Sequence, residues 1–161
     1  ICYMGEDMMK KFTALILAAI IAALLCSCSS GKTLPDAPTL AAALASGLDF
    51  DEELEDSGAD IAYSFYGVDE AQCKSAALYK GSSASVDEVA VFECVDADAA
   101  NAVAALASER QQYLHDGYSN YGPEQVPKID SGVIKTVGNT VIFCISNSPE
   151  KIDSIIDASR K

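Results

Sequence analysis

Glu88-Val89-Ala90-Val91-Phe92-Glu93-Cys94-Val95 decides the fold. It is apolar on both faces except at Glu93, the pattern of a strand in the middle of a sheet rather than at its edge. Cys73 to Lys80 reads as a neighbouring strand, with the flexible turn Gly81-Ser-Ser-Ala-Ser85 after it. Downstream, Ser131–Val137 and Thr140–Ser146 form a further pair joined by Gly138-Asn139, a two-residue hairpin signal. Between the pairs, Asp96 or Asp98 caps a helix predicted from about Ala99 to His115. A tyrosine-rich loop follows from Gly117 to Lys128. Ser148-Pro149-Glu150 opens a last helix whose apolar stripe is Ile152, Ile155 and Ile156.

The order is ββαββα behind a helical preface. The preface holds a short alanine- and leucine-rich helix, Thr39–Ser46, stopped by Gly47. Over Asp60–Gly67 alternating Ile61, Tyr63 and Phe65 would suit a strand, but Ile61, Ala62, Phe65 and Tyr66 repeat at helical spacing and a second helix is expected. Hairpins imply antiparallel pairing. The expected class is α+β: a small antiparallel sheet with its helices mainly on one face, as a single domain over residues 39–161.

Ahead of that domain the chain reads as an address. Lys10 and Lys11 precede Phe12–Leu25, an uncharged, almost wholly apolar run of 14 residues. That is short for a membrane span and suits the core of a signal peptide. Leu25-Cys26-Ser27-Cys28 resembles a bacterial lipobox, with Leu at −3, Ser at −1 and Cys at +1. The resemblance implies cleavage before Cys28 and lipidation of its thiol. Residues 1–8 precede the basic segment and read as an over-long start, 9–27 as the signal peptide and 28–38 as a proline-punctuated tether. Extracytoplasmic attachment to the cell membrane through lipid on Cys28 is therefore expected.

Charge limits the partners. The chain carries −13, and removing residues 1–27 takes away two acids and two bases, so the balance does not change. Phosphate backbones repel such a chain, so no nucleic-acid partner is expected. Seven carboxylates crowd Asp49–Asp60. Laid on a calcium loop from Asp49, the obligatory glycine falls on Leu54 and the bidentate glutamate on Asp60. A solvated acidic face, with Phe50 and Leu54 turned inward, is the expected state, and no metal site or cofactor is assigned.

Of the six cysteines, Cys73, Cys94 and Cys144 remain beyond the lipobox, without a C-x-x-C pair and with a single histidine, His115. They read as small buried hydrophobes, with a Cys94–Cys144 disulfide as the alternative. His115 reads as a surface cap near a helix C-terminus. Catalytic signatures such as G-x-S-x-G, H-E-x-x-H and the P-loop do not occur. Tyr113, Tyr118 and Tyr121 could stack on sugar rings or pack the helix against its loop.

Arg110 is out of place. Val103, Leu106, Tyr113 and Leu114 define an apolar stripe on its helix, and Arg110 falls near the stripe's centre. A guanidinium there needs a carboxylate or a route to water. Glu88, at the start of the central strand, is the first candidate and Glu124 the second; the other reading is that Arg110 binds an anionic ligand.

Val86-Asp87-Glu88-Val89-Ala90-Val91-Phe92, Arg110 late in a helix, Tyr121-Gly122-Pro123-Glu124 and Gly138-Asn139-Thr140-Val141 together resemble a set of bacterial lipoproteins. The family is domain of unknown function 4358, and the similarity spans about Leu48 to the C-terminus. It implies a small α+β domain behind a lipoprotein signal and carries no catalytic residue or cofactor. Two functions are then expected to compete. One is a non-catalytic module binding or scaffolding an envelope protein, glycan or cation; the other is a small carboxylate-dependent envelope hydrolase.

Overall fold

The computed structural model describes residues 33–161. Cys28 and the segments read from the sequence as an over-long start, a signal peptide and the beginning of a tether lie outside the described residues.

Helix α1 (Ala37–Gly47) comes first, then the two-residue strand β1 (Glu55–Asp56), α2 (Ala59–Tyr66), β2 (Cys73–Lys80) and β3 (Glu88–Cys94). The long helix α3 (Ala97–Tyr121) and the short α4 (Val126–Asp130) precede β4 (Val133–Val137), β5 (Thr140–Ile145) and α5 (Ile152–Ser159). The sheet is antiparallel, in the order β1-β2-β3-β5-β4. The class is α+β, and Glu88–Cys94 lies at its centre. Gly138, at a φ of 60°, allows the tight β4–β5 turn that a side chain would resist.

Helices cover both faces of the sheet, not mainly one. Ala77, Val89, Val91, Ile142 and Cys144 face α1 and α5, where Leu40, Leu44, Ile152 and Ile156 meet them. Leu78, Ala90, Phe92, Cys94, Val141 and Phe143 face the opposite way, under α2, α3 and α4. A strand apolar on both sides needs two covers, and α1 is half of the second one. Leu40 and Leu44 are wholly buried, each contributing roughly 2 kcal/mol by its removal from water.

Residues 33–38, read as tether, are folded too. Thr33 exchanges two backbone hydrogen bonds with Lys161, both 3.0 Å. The amide of Ala37 donates to Ser75 Oγ at 3.2 Å.

Helix α3 also differs from expectation. It starts where Asp96 accepts from the Ala99 amide at 2.8 Å, but it runs on through Gly117 to Tyr121. Its buried stripe continues from Leu114 to Tyr118, and that packing outweighs the helix-weakening glycine. Gly122 ends it by close approach: a Cβ there would lie 2.9 Å from the Tyr118 ring. The tyrosine-rich loop is thus mostly helical, through α3, the turn Pro123–Gln125 and α4.

Candidate functional site

Lys80 and Glu88 are opposite partners at one end of the β2–β3 ladder. Glu88 points to the side covered by α2 and α3 and is 1% exposed. Such a carboxylate is tolerable only if its charge and lone pairs are answered. Arg110 supplies a fork: Nη2 donates to Oε2 at 2.8 Å and Nε to Oε1 at 3.4 Å. Lys80 Nζ reaches Oε2 at 3.4 Å, and the Tyr66 hydroxyl donates to Oε1. Tyr66 is held by ring contacts with Phe92 and Phe143 at 5.1 and 6.1 Å. Burial, and then the charge of Glu88, push its hydroxyl well above the usual phenol range, so it remains a donor.

The outer side of this cluster is aromatic. The Arg110 guanidinium lies 4.1 Å from the centre of the Phe65 ring and 5.9 Å from that of Tyr113. Lys80 Nζ lies 5.0 Å from the Phe65 centre. Both cations are placed to interact with the ring's π-system. Phe65 and Tyr113 nevertheless remain 42% and 72% exposed. A groove of about 510 Å³ runs between α2 and α3, bordered by Phe65, Tyr66, Leu106, Glu109, Arg110 and Tyr113. Tyr113, assigned to the apolar stripe from the sequence, is on this outer rim; the buried stripe runs through Val103, Ala107, Leu114 and Tyr118.

Glu124 is not in the cluster. It is exposed in the turn after α3 and makes no ion pair with a described residue. Tyr121 stands clear of Arg110's groove, 74% exposed, its ring 5.0 Å from that of Tyr118. Tyr113, Tyr118 and Tyr121 do share a second, smaller cleft of about 370 Å³ along the end of α3. His115, mid-helix rather than at a terminus, meets Asp130 of α4 through Nδ1 at 2.7 Å.

A second buried charge went unrecognised in the sequence. Asp87 is fully buried; its Oδ2 accepts from the Asp51 amide at 2.8 Å, and Lys128 Nζ closes on its Oδ1. The lysine supplies charge there without an aligned hydrogen bond. Lys128 also reaches Asp51 Oδ2 at 2.8 Å, while Asn147 donates to Asp51 Oδ1 at 2.8 Å. Asp49 holds Lys151 at 2.6 Å. The lysine contacts draw Asp49 and Asp51 below the usual carboxylate range. Part of the acidic run is therefore a latch between strand ends and helices, not simply a solvated face, although Phe50 and Leu54 do pack inward. Among the described residues no group of three or more His, Cys, Asp or Glu side chains could hold a metal ion. The available signal was the pair Asp87-Glu88: adjacent strand-end residues aim opposite ways, and each acid needs its own cation.

Cys94 and Cys144 belong to opposite faces of the sheet, which overturns the disulfide considered between them. Cys73, Cys94 and Cys144 are free thiols. Burial pushes the Cys144 thiol up.

Strands β1 to β5, helices α2 to α4 and both buried charge clusters fall within one stretch of chain. The family described as Domain of unknown function (DUF4358) matches residues 47–146, well over half of the 161-residue chain. The chain belongs to this family. The DUF4358 match includes Tyr66, Lys80, Glu88 and Arg110 as well as Asp51, Asp87 and Lys128. It leaves out nearly all of α1 and the whole of α5, the two helices that cover the second face. Nothing among curated proteins and nothing among solved structures matches the chain.

Proposed function

We propose that this DUF4358 protein is a lipid-anchored, extracytoplasmic binding module whose contact face is the α2–α3 groove. The observation that carries the reading is the pairing of exposed Phe65 and Tyr113 around a guanidinium already fixed from behind by Glu88. Aromatic faces and a pre-oriented cation offer contact area at low entropic cost, as recognition surfaces require. The buried carboxylates support binding over hydrolysis, since Glu88 and Asp87 already face cations. A general acid or base needs an oxygen that can reach a substrate proton.

The address comes from the lipobox-like Leu25-Cys26-Ser27-Cys28 behind Lys10, Lys11 and the apolar run. In this reading attachment rests on lipid at Cys28. No described helix is long and apolar enough to cross a membrane. The expected partner is an envelope protein or glycan.

The test places a photo-crosslinking residue at position 113 of the lipidated protein on its own membrane, with a control at Ser154, an exposed residue of α5. A discrete envelope adduct from position 113 alone is expected. Equal adducts from both positions, or none from 113, would remove the groove from the account.

A further inference from the structure

At the other end of the β2–β3 ladder from Lys80 and Glu88, Cys73 and Cys94 are directly opposed partners. Both pack into the core layer under α2 and α3, so their side chains share a face. Among the described residues the Cys94 thiol has only a long contact, to the Phe92 carbonyl at 3.8 Å. Opposed residues on antiparallel strands have Cα atoms about 4.5–5.5 Å apart. A disulfide accepts roughly 4.4–6.8 Å. The ladder shifts register between Cys73 and Ser75, beside exposed Lys74, so this end of β2 has slack to adjust sulfur geometry. Access is unequal: Cys73 is half-buried and Cys94 fully buried.

We propose that Cys73 and Cys94 are a cross-strand disulfide site, closed by exchange with a disulfide of the R–S–S–R class. The thiolate of Cys73, the sulfur that solvent can reach, attacks one sulfur of R–S–S–R. A Cys73–S–S–R bond forms and RS⁻ leaves. The thiolate of Cys94 then attacks the Cys73 sulfur, forming Cys73–Cys94 and expelling the second RS⁻. Two protein thiols are oxidised and one external disulfide is reduced; the two thiol protons end on the two RS⁻ groups. Cys144 takes no part, being fully buried on the other face between Val89 and Val133. Closure staples β2 to β3 at the end of the ladder that lacks the ionic cluster.

Oxidised glutathione is the probe, applied to the native full-length protein, followed by acid quenching, alkylation and tryptic mapping. Lys74 and Lys80 separate Cys73 from Cys94 in sequence, so the two fall on different peptides. The expected product is those two peptides joined, with two hydrogens fewer than the reduced pair, and both thiols restored by dithiothreitol. In Cys94→Ser the exchange should stop at glutathione on Cys73, because no resolving thiol remains. Should that variant fail to fold, mapping of the native protein decides alone. Glutathione persisting on wild-type Cys73, both thiols remaining alkylatable, or Cys94 joined to Cys144 would each overturn the proposal.

Discussion

Removing Arg110 tests the α2–α3 side of the domain most directly. Arg110→Ala withdraws both arms of the fork, at 2.8 and 3.4 Å, from a carboxylate that is 1% exposed. Stranding a buried charge in this way costs about 3–5 kcal/mol. The Tyr66 hydroxyl and Lys80 Nζ stay, and Lys80 at 3.4 Å can close in, recovering about 1 kcal/mol. Loss of the guanidinium over Phe65 takes back about 0.5–1 kcal/mol. The net expectation is a loss of about 4 kcal/mol. With a urea dependence of about 1.5 kcal/mol/M, the unfolding midpoint falls by about 2.5 M. Arg110→Lys keeps the charge without the planar fork and should lose about 1.5 kcal/mol. Glu88→Gln measured alone and with Arg110→Ala completes a double-mutant cycle, in which the pair should couple strongly. A loss below about 1 kcal/mol in Arg110→Ala would refute the structural role. Near-normal stability together with lost groove binding would assign Arg110 to a ligand instead.

Tyr66→Phe removes a donor to a buried carboxylate and should cost about 2 kcal/mol at neutral pH, read by urea unfolding. The same variant should resist alkali better relative to its neutral stability. The folded-state pKa of Tyr66 is raised, so its contribution is complete below the unfolded value of about 10 and is lost as pH climbs through the raised folded one. Asp49 and Asp51 behave in the opposite sense. Their folded pKa values are lowered, so their contribution is present above the ordinary value of about 3.9 and disappears as pH falls through the lowered one. Asp51→Asn should flatten that acid limb, and added salt should do so in the wild type. At physiological salt, calorimetry with calcium should give only weak, salt-sensitive heats from the Asp49–Asp60 segment; stoichiometric micromolar binding would contradict this. Cys28→Ala should abolish incorporation of labelled fatty acid, and continued labelling would show the lipobox assignment to be wrong.

The parts of the fold legible in the sequence are those where one local pattern has one physical outcome. Glu88–Cys94 alternates apolar residues onto both faces, Gly138-Asn139 supplies a tight turn, and Arg110 lies among apolar helix positions where it must find a carboxylate. The rest depends on which distant element arrives. Nothing local tells Asp51 that Lys128 will reach it, 77 residues on, so a latch looked like a solvated run. The long helix reads as ending near His115 because the hold of Tyr118 on the core is tertiary. The cysteines sharpen the distinction. Cys94 and Cys144 look equivalent as single residues in apolar strands, yet strand parity and register put them on opposite faces. Cys73, near the start of a strand, seemed the odd thiol until the ladder set it against Cys94. A one-residue slip turns a strand's side chains to the other face, and the shift between Cys73 and Ser75 is what puts Cys73 on the face of Cys94. The Lys80–Glu88 pairing belongs to the main register at one end, and the Cys73–Cys94 pairing lies beyond the shift at the other. Arg110 therefore acts on more than the groove: by holding Glu88 it anchors the end of the ladder opposite the thiols.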